Sequence, residues 1–214
     1  LHLSLRRQRQ MCIRDRVACV ERQLKMRHGG ELQGAEAVVF GGTGPVGLAT
    51  GVIASLAGAR VTIVDPFNID VALEKAREYN ARCGSEMTGT YASSDADKAR
   101  LLAQADLVFC TAKAGVQVLN ASVLGDATRL KVAGDVNAVP PLGIEGIKRG
   151  HDGEPLVHAI HAEGAVGIGA LAIGDIKYRL QNALLVQLLS AERPMDLDFR
   201  EAFIQARKLL EASS

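Results

Sequence analysis

The chain has 214 residues, 48% apolar and 23% charged, an ordinary globular balance for one large or two small domains. Its formal net charge of +1 gives no electrostatic reason to bind nucleic acid or an anionic membrane surface. No apolar run reaches the length of a bilayer span. Cys12, Cys19, Cys83 and Cys110 form no C-x-x-C pair, so neither a zinc site nor a disulfide framework is expected, and the cytoplasm fits best.

Leu1 to Arg16 is arginine-rich and has no hydrophobic period. No apolar segment follows its charges, so it does not read as a secretory signal; residues 1–16 read as a non-native leader and are set aside. Val17, Val20 and Leu24 then have helical spacing through Arg27. Residues 17–33 are expected to be a linking helix, the last element of something upstream, ended by Gly29-Gly30.

The apolar run Ala37-Val38-Val39-Phe40 stops at Gly41. The glycines that follow have the spacing G-x-G-x-x-G at Gly42, Gly44 and Gly47, and Ala49 to Leu56 continues with a helical pattern. A buried strand, a tight turn and a helix N-terminus are what a dinucleotide pyrophosphate requires. In this reading Gly42 allows the turn, Gly44 lets the backbone approach the phosphates, and Gly47 lets helix and strand pack closely, with Thr43, Pro45 and Val46 completing the loop. Arg60 to Val64 is the second strand. Asp65 ends it, 23 residues after Gly42, where an acidic residue would bind an adenosine ribose.

The alternation continues with a helix over 69–80, a short strand over 87–91, and a helix capped at Ser94-Asp95 that runs through Gln104. Leu107 to Cys110 and Leu130 to Ala133 are short apolar strands of the kind buried in parallel sheets. The pattern is α/β, a doubly wound, Rossmann-like parallel sheet over residues 34–174. Ligands bind such sheets outside the carboxyl ends of the strands, so the loops 42–47, 111–115 and 135–143 are expected on one rim. The small-residue run Gly164 to Gly174 can let a strand and a helix start approach closely. A helix over 176–189, capped by Gly174 or Asp175, is expected next. Pro194 then separates it from a last amphipathic helix over 198–210.

The polar groups expected near the rim are Thr111, Lys113, Asp135, Asn137 and Lys177. The sequence has no Ser-x-x-x-Tyr-x-x-x-Lys set and no evident His–Asp pair. His158 and His161 form the one close histidine pair. They lack a third ligand and read as structural or exposed. Asp135 and Asn137 could touch a nicotinamide or the substrate, and Asp135 could equally form a turn; spacing alone does not choose.

Three stretches, Phe40 to Gly47, Gly134 to Gly146 and Gly169 to Tyr178, resemble the NAD(P)-dependent methylene-tetrahydromethanopterin dehydrogenases of methylotrophic bacteria. The resemblance runs from about Val17 to the C-terminus. It implies hydride transfer from a methylene-tetrahydromethanopterin to NAD(P), giving the methenyl form, in one-carbon (formaldehyde) oxidation. It also implies a two-domain fold whose N-terminal part is mostly missing here, with residues 175–214 as helices that would pack on it, and a homo-oligomer. In the implied reaction a nitrogen lone pair expels hydride and no proton leaves, so orientation and dryness matter more than acid–base groups. The resemblance makes Lys177 the residue that faces the reaction centre and positions the pterin. Thr111 and Ala112 are expected to line the cofactor with the glycine loop, Asp135 and Asn137. Asp65 favours NAD over NADP because a carboxylate repels a 2′-phosphate. The alternatives are a methylene-tetrahydrofolate or shikimate-type dehydrogenase, or a non-catalytic NAD-binding module.

Overall fold

The structure is a computed structural model that describes residues 14–189 and 199–211. Its elements in chain order are α1 (Arg14–His28), β1 (Glu36–Phe40), α2 (Pro45–Leu56), β2 (Arg60–Asp65), α3 (Ile69–Cys83), β3 (Met87–Tyr91) and α4 (Asp95–Leu102). They continue with β4 (Leu107–Cys110), α5 (Ala121–Gly125), β5 (Val132–Asp135), β6 (Asp152–Pro155), β7 (Val166–Ile168), α6 (Ala170–Leu189) and α7 (Phe199–Glu211). The seven strands form one sheet in the order β3-β2-β1-β4-β5-β7-β6. Every pair is parallel except β6 with β7, which is antiparallel and irregular between Asp152 and Glu154.

Strand periodicity divides the apolar side chains between the two faces of the sheet. Ala37, Val39, Ile63 and Phe109 join one core with α1, α2, α6 and α7. Val38, Phe40, Val64, Val108 and Cys110 join a second core with Leu102, Leu124 and Ile144. The chain winds outward from β1 to β3 on one side and from β4 through β5 to the edge strand β6 on the other, with β7 returning between β5 and β6. The strand order therefore switches between β1 and β4, and the expected doubly wound α/β fold is present.

The chain departs from the sequence reading in several places. α1 includes Arg14 to Arg16, which the sequence reading assigns to the leader, and Arg16 is buried. The edge strand β6 and the short α5, capped by the side chain of Asn120, carry too few apolar residues to announce themselves. α6 begins at Ala170, so Gly174 and Asp175 are interior and cap nothing. Gly169 is the crowded position: a Cβ there would lie 2.1 Å from the Lys148 carbonyl oxygen. Lys177 is consequently the eighth residue of α6, beyond the reach of the helix N-terminal dipole.

The last two helices bury Ile173, Ile176, Leu180, Phe203, Ala206 and Leu210 in the first core. Arg207 ties α7 to α1 through both carboxylate oxygens of Glu21, and its guanidinium lies 4.4 Å from the Phe203 ring centroid. Pro194 and Asp198 lie outside the described residues.

Candidate functional site

The loop after β1 turns at Gly41, not Gly42. Gly41 has φ +70° and a Cβ there would stand 2.8 Å from Cα of Ala112, so the loops after β1 and β4 touch at the switch point. Gly42 is needed for contact instead, because its Cβ would meet Ile63 and the Val39 carbonyl oxygen at 2.7 Å. A Cβ on Gly47 would lie 2.3 Å from the Gly41 oxygen and 2.6 Å from Gly42 Cα, which is the close helix–strand packing expected. At Gly44 only the Gly41 oxygen comes near, at 3.4 Å. Thus the protein's own packing explains Gly42 and Gly47 but does not require a glycine at position 44.

α2 starts on this loop with Gly44 as N-cap and Pro45 in its first turn. No side chain caps it and no acid sits in its first turn. The first-turn amides of Val46 and Gly47 have no intrahelical acceptor by position, which leaves a positive helix end at the rim.

Asp65, at the end of β2, faces the same loop. It is 8% exposed. Its Oδ2 accepts from the Thr43 hydroxyl at 2.6 Å, and its Oδ1 accepts from the amides of Phe67 at 2.8 Å and Asn68 at 2.9 Å. Burial works to raise its pKa, but these three donors outweigh burial and hold the carboxyl below its ordinary value. Three of its roughly four acceptor positions are taken, leaving one for an incoming hydroxyl. Arg60, at the far end of the same strand, pairs with Glu36 and is remote from this group.

Thr111 continues β4 and donates its hydroxyl to the Phe40 oxygen at 2.8 Å, binding the two loops together. Ala112 is half-buried beside Gly41, and Lys113 is exposed.

Asp135 and Asn137 turn their polar side-chain atoms onto backbone groups. Asp135 is 1% exposed, and its two oxygens accept from the amides of Asn137 at 2.9 Å and Ile144 at 3.0 Å. Asn137 accepts from the amides of Gly115 at 3.3 Å and Val139 at 2.9 Å and donates to the Pro141 oxygen at 3.0 Å. Their polar atoms bind the 135–144 loop to itself and to the loop after β4, so the turn-forming reading of Asp135 holds. Burial pushes the Asp135 carboxyl up against the pull of the Asn137, Ile144 and Gly143 amides. Burial, with the Asp135 charge second, pushes the Cys110 thiol up to about 12, so this thiol at the rim is inert.

For Lys177 the structure describes the backbone, on α6, and not the side chain. α6 leaves the carboxyl end of β7, which pairs in parallel with β5, and so starts from the rim. His158 is half-buried and His161 exposed, both in turns, and the described residues contain no metal-binding cluster. A groove of about 660 Å³ lined by Glu21, Arg22, Gln33, Ala57 and Arg207 lies at the amino ends of β1 and β2, away from these loops. No helix among the described residues is long and apolar enough to cross a membrane.

Sequence reasoning missed two features at the rim. Phe67 is 87% exposed beside Asp65, and its place immediately after Asp65-Pro66 was the available signal. The Thr43–Asp65 bond joins residues 22 apart in sequence, and no spacing rule predicts it.

No protein-family model matches the chain. The chain is 36% identical over 187 residues to the NAD(P)-dependent methylenetetrahydromethanopterin dehydrogenase of Methylorubrum extorquens, an alignment covering 87% of this chain and 62% of that protein. It is 29% identical over 181 residues to the bifunctional protein MdtA of the same organism, covering 85% and 60%. The chain therefore spans about three fifths of the length of these relatives. A transhydrogenase from Sinorhizobium meliloti shares the fold, with a TM-score of 0.59 at 19% identity, over 96% of this chain and 54% of that one.

Proposed function

We propose that this chain, similar over 87% of its length to NAD(P)-dependent methylenetetrahydromethanopterin dehydrogenase, serves hydride transfer from a methylene-bridged tetrahydropterin to NAD in one-carbon oxidation. One observation carries the reading. An uncapped helix N-terminus, a glycine at position 44 whose Cβ would meet only the Gly41 oxygen, at 3.4 Å, and the Asp65 carboxylate at the end of the neighbouring strand lie together on one rim, as a dinucleotide cradle requires.

The residues present fit such a cofactor. Gly44, Pro45, Val46 and the first-turn amides of α2 would hold the pyrophosphate, and Asp65 the adenosine ribose. Thr111 and Ala112 would wall the nicotinamide side. The cofactor, when bound, supplies the hydride acceptor. What the chain supplies is placement and dryness. The hydroxyl of Thr111, the carboxylate of Asp135 and the amide of Asn137 are all turned inward on backbone groups, which suits a reaction in which no proton is removed. Lys177 is assigned to positioning the pterin. Asp65 is assigned the preference for NAD over NADP, since its lowered pKa keeps it anionic.

Calorimetric titration of the chain with NAD and NADP tests the cradle, and methenyl formation from methylene-tetrahydromethanopterin, with methylene-tetrahydrofolate alongside, tests the substrate. NAD binding by the chain is expected, and turnover of the methanopterin derivative is expected of a protein of the relatives' full length. A folded chain that binds neither cofactor would overturn the reading.

A further inference from the structure

The loop after β4 is anchored at both ends and held by a single bond between them, and the inference drawn from this rests on the NAD reading above. At its start the Thr111 hydroxyl donates to the Phe40 oxygen at 2.8 Å. At its far end the main chain joins it to the loop after β5. There the Gly143 oxygen accepts from the amides of Val118 at 2.8 Å and Leu119 at 3.0 Å, and the Leu119 oxygen accepts from the Glu145 amide at 2.9 Å. Among the described residues, 113–117 make one hydrogen bond to the rest of the fold: the Gly115 amide donates to Asn137 Oδ1 at 3.3 Å.

Asn137 does this from a buried position, 5% exposed. The same Oδ1 accepts from the Val139 amide at 2.9 Å, and Nδ2 donates to the Pro141 oxygen at 3.0 Å. One side-chain oxygen thus fixes two segments at once, the tip of the loop after β4 and the start of the loop after β5. The segments lie against each other, since a Cβ on Gly115 would stand 3.8 Å from the Pro140 oxygen and 3.9 Å from Val139 Cγ1. Each presents one exposed valine, Val116 and Val139.

The place of these segments on the rim gives this a consequence. The glycine loop and Asp65 follow β1 and β2. A dinucleotide lies across the switch point, so its nicotinamide half falls on the other side, over the loops after β4 and β5. Hydride transfer requires that ring at one height and one angle. Thr111, Asp135 and Asn137 spend their polar atoms on backbone groups. We propose that Asn137 is a positioning residue for the nicotinamide ring. It does not touch the cofactor; it holds the two loops at one spacing through the Gly115 amide. The ring's seat is then loop main chain and the two valines, and that spacing sets its shape.

The test compares NADH with ADP-ribose, which has every part of the cofactor except the nicotinamide ring, by calorimetric titration of the 214-residue chain. Wild type is expected to bind NADH about tenfold more tightly, the excess being the ring's share. Asn137→Ser keeps the local turn, because a serine hydroxyl accepts from the amide two residues on, but it is too short to hold Gly115 as well. It is expected to bring the excess below about threefold while ADP-ribose affinity stays within about twofold of wild type, as loss of one tether allows. Asn137→Asp keeps an oxygen for both amides and is expected to keep an excess of at least about fivefold. If Asn137→Ser fails a circular-dichroism folding check, Asn137→Thr carries the same expectation. Equal falls in NADH and ADP-ribose affinity in Asn137→Ser would mean a structural role alone and overturn the inference, as would an unchanged excess or an equal loss in Asn137→Asp. Wild type that binds NADH and ADP-ribose equally would also overturn it, with the NAD reading intact. Wild type that binds neither would overturn both.

Discussion

The same substitution at two glycines three residues apart separates what the fold needs from what the cofactor needs. In Gly47→Ala the new Cβ would stand 2.3 Å from the Gly41 oxygen, 2.6 Å from Gly42 Cα and 2.8 Å from Thr111 Oγ1. Carbon contacts relax at roughly 3.5 Å or more, so α2 must back away from the loop by about an ångström. Two of the three atoms are backbone and cannot swing aside. Overpacking of this kind costs about 3 kcal/mol, and the better helix propensity of alanine returns about 1 kcal/mol, leaving a net loss of about 2 kcal/mol. For a chain of this size that is a fall in Tm of roughly 4–8 °C.

In Gly44→Ala the Cβ meets only the Gly41 oxygen, at 3.4 Å, and the backbone there (φ −74°, ψ 161°) suits any residue. Alanine is a poorer N-cap by about 0.5–1 kcal/mol, and the stiffer unfolded chain offsets about 0.4–1 kcal/mol, so stability should stay within about 0.5 kcal/mol of wild type. NAD binding should nevertheless fall by about tenfold to a hundredfold, because the methyl group holds the pyrophosphate off the amides of Val46 and Gly47. Urea unfolding and calorimetry on the two variants form the assay. The reasoning is refuted if Gly44→Ala keeps wild-type NAD affinity, or if it loses as much stability as Gly47→Ala.

Asp135→Ala strands the buried amides of Asn137 and Ile144, so urea unfolding should show a loss of about 2–4 kcal/mol, with proteolysis beginning in 135–144. Asp106 accepts from the Glu36 amide and pairs with Arg129 and Lys131. Burial raises its pKa, but the Glu36 amide and then the two cations outweigh burial and lower it. A depressed folded pKa gives stability that is present above the ordinary carboxylate value of about 3.9 and lost as pH falls through the folded value. Stability measured from pH 6 to pH 2 should therefore drop below about pH 4, less steeply in Asp106→Asn. Asp135 has the opposite sign, its raised pKa favouring the folded state at low pH. Cys110, 1% exposed and with its thiol pushed up to about 12 by burial, should resist iodoacetamide in the native chain at pH 8 and react after unfolding, whereas the half-buried Cys83 should react before it; peptide mapping distinguishes them.

Much of the fold was legible because its signals are local. Apolar runs of four or five residues, a glycine turn and an acid at the next strand end lie close together in the chain, and the strict two-residue alternation of β1 assigns its side chains to faces without further information. The G-x-G-x-x-G spacing likewise marked the rim, since the turn, the helix start and the close packing arise within eight residues. The places where local reading failed are those where a distant segment decided. Gly174 reads as a helix cap, yet α6 runs through it and begins at Ala170, where the Lys148 and Arg149 backbone crowds Gly169 and the Arg149 oxygen accepts from the Leu171 amide. Gly41 carries the left-handed turn because Ala112, 71 residues away, lies against it.

The site follows the same division. The chain by itself determined which residue types reach the carboxyl rim, because strand order and direction follow from the alternation of elements. Only the tertiary structure decided what each does there. Burial and hydrogen bonds within 135–144, with the Gly115 amide from the loop after β4, make Asp135 and Asn137 a clamp that holds two loops. They also surrounded Asp65 with donors from two loops, and hydrogen-bond partners separated by 22 residues are set by the packing of the sheet, not by any pattern along the chain.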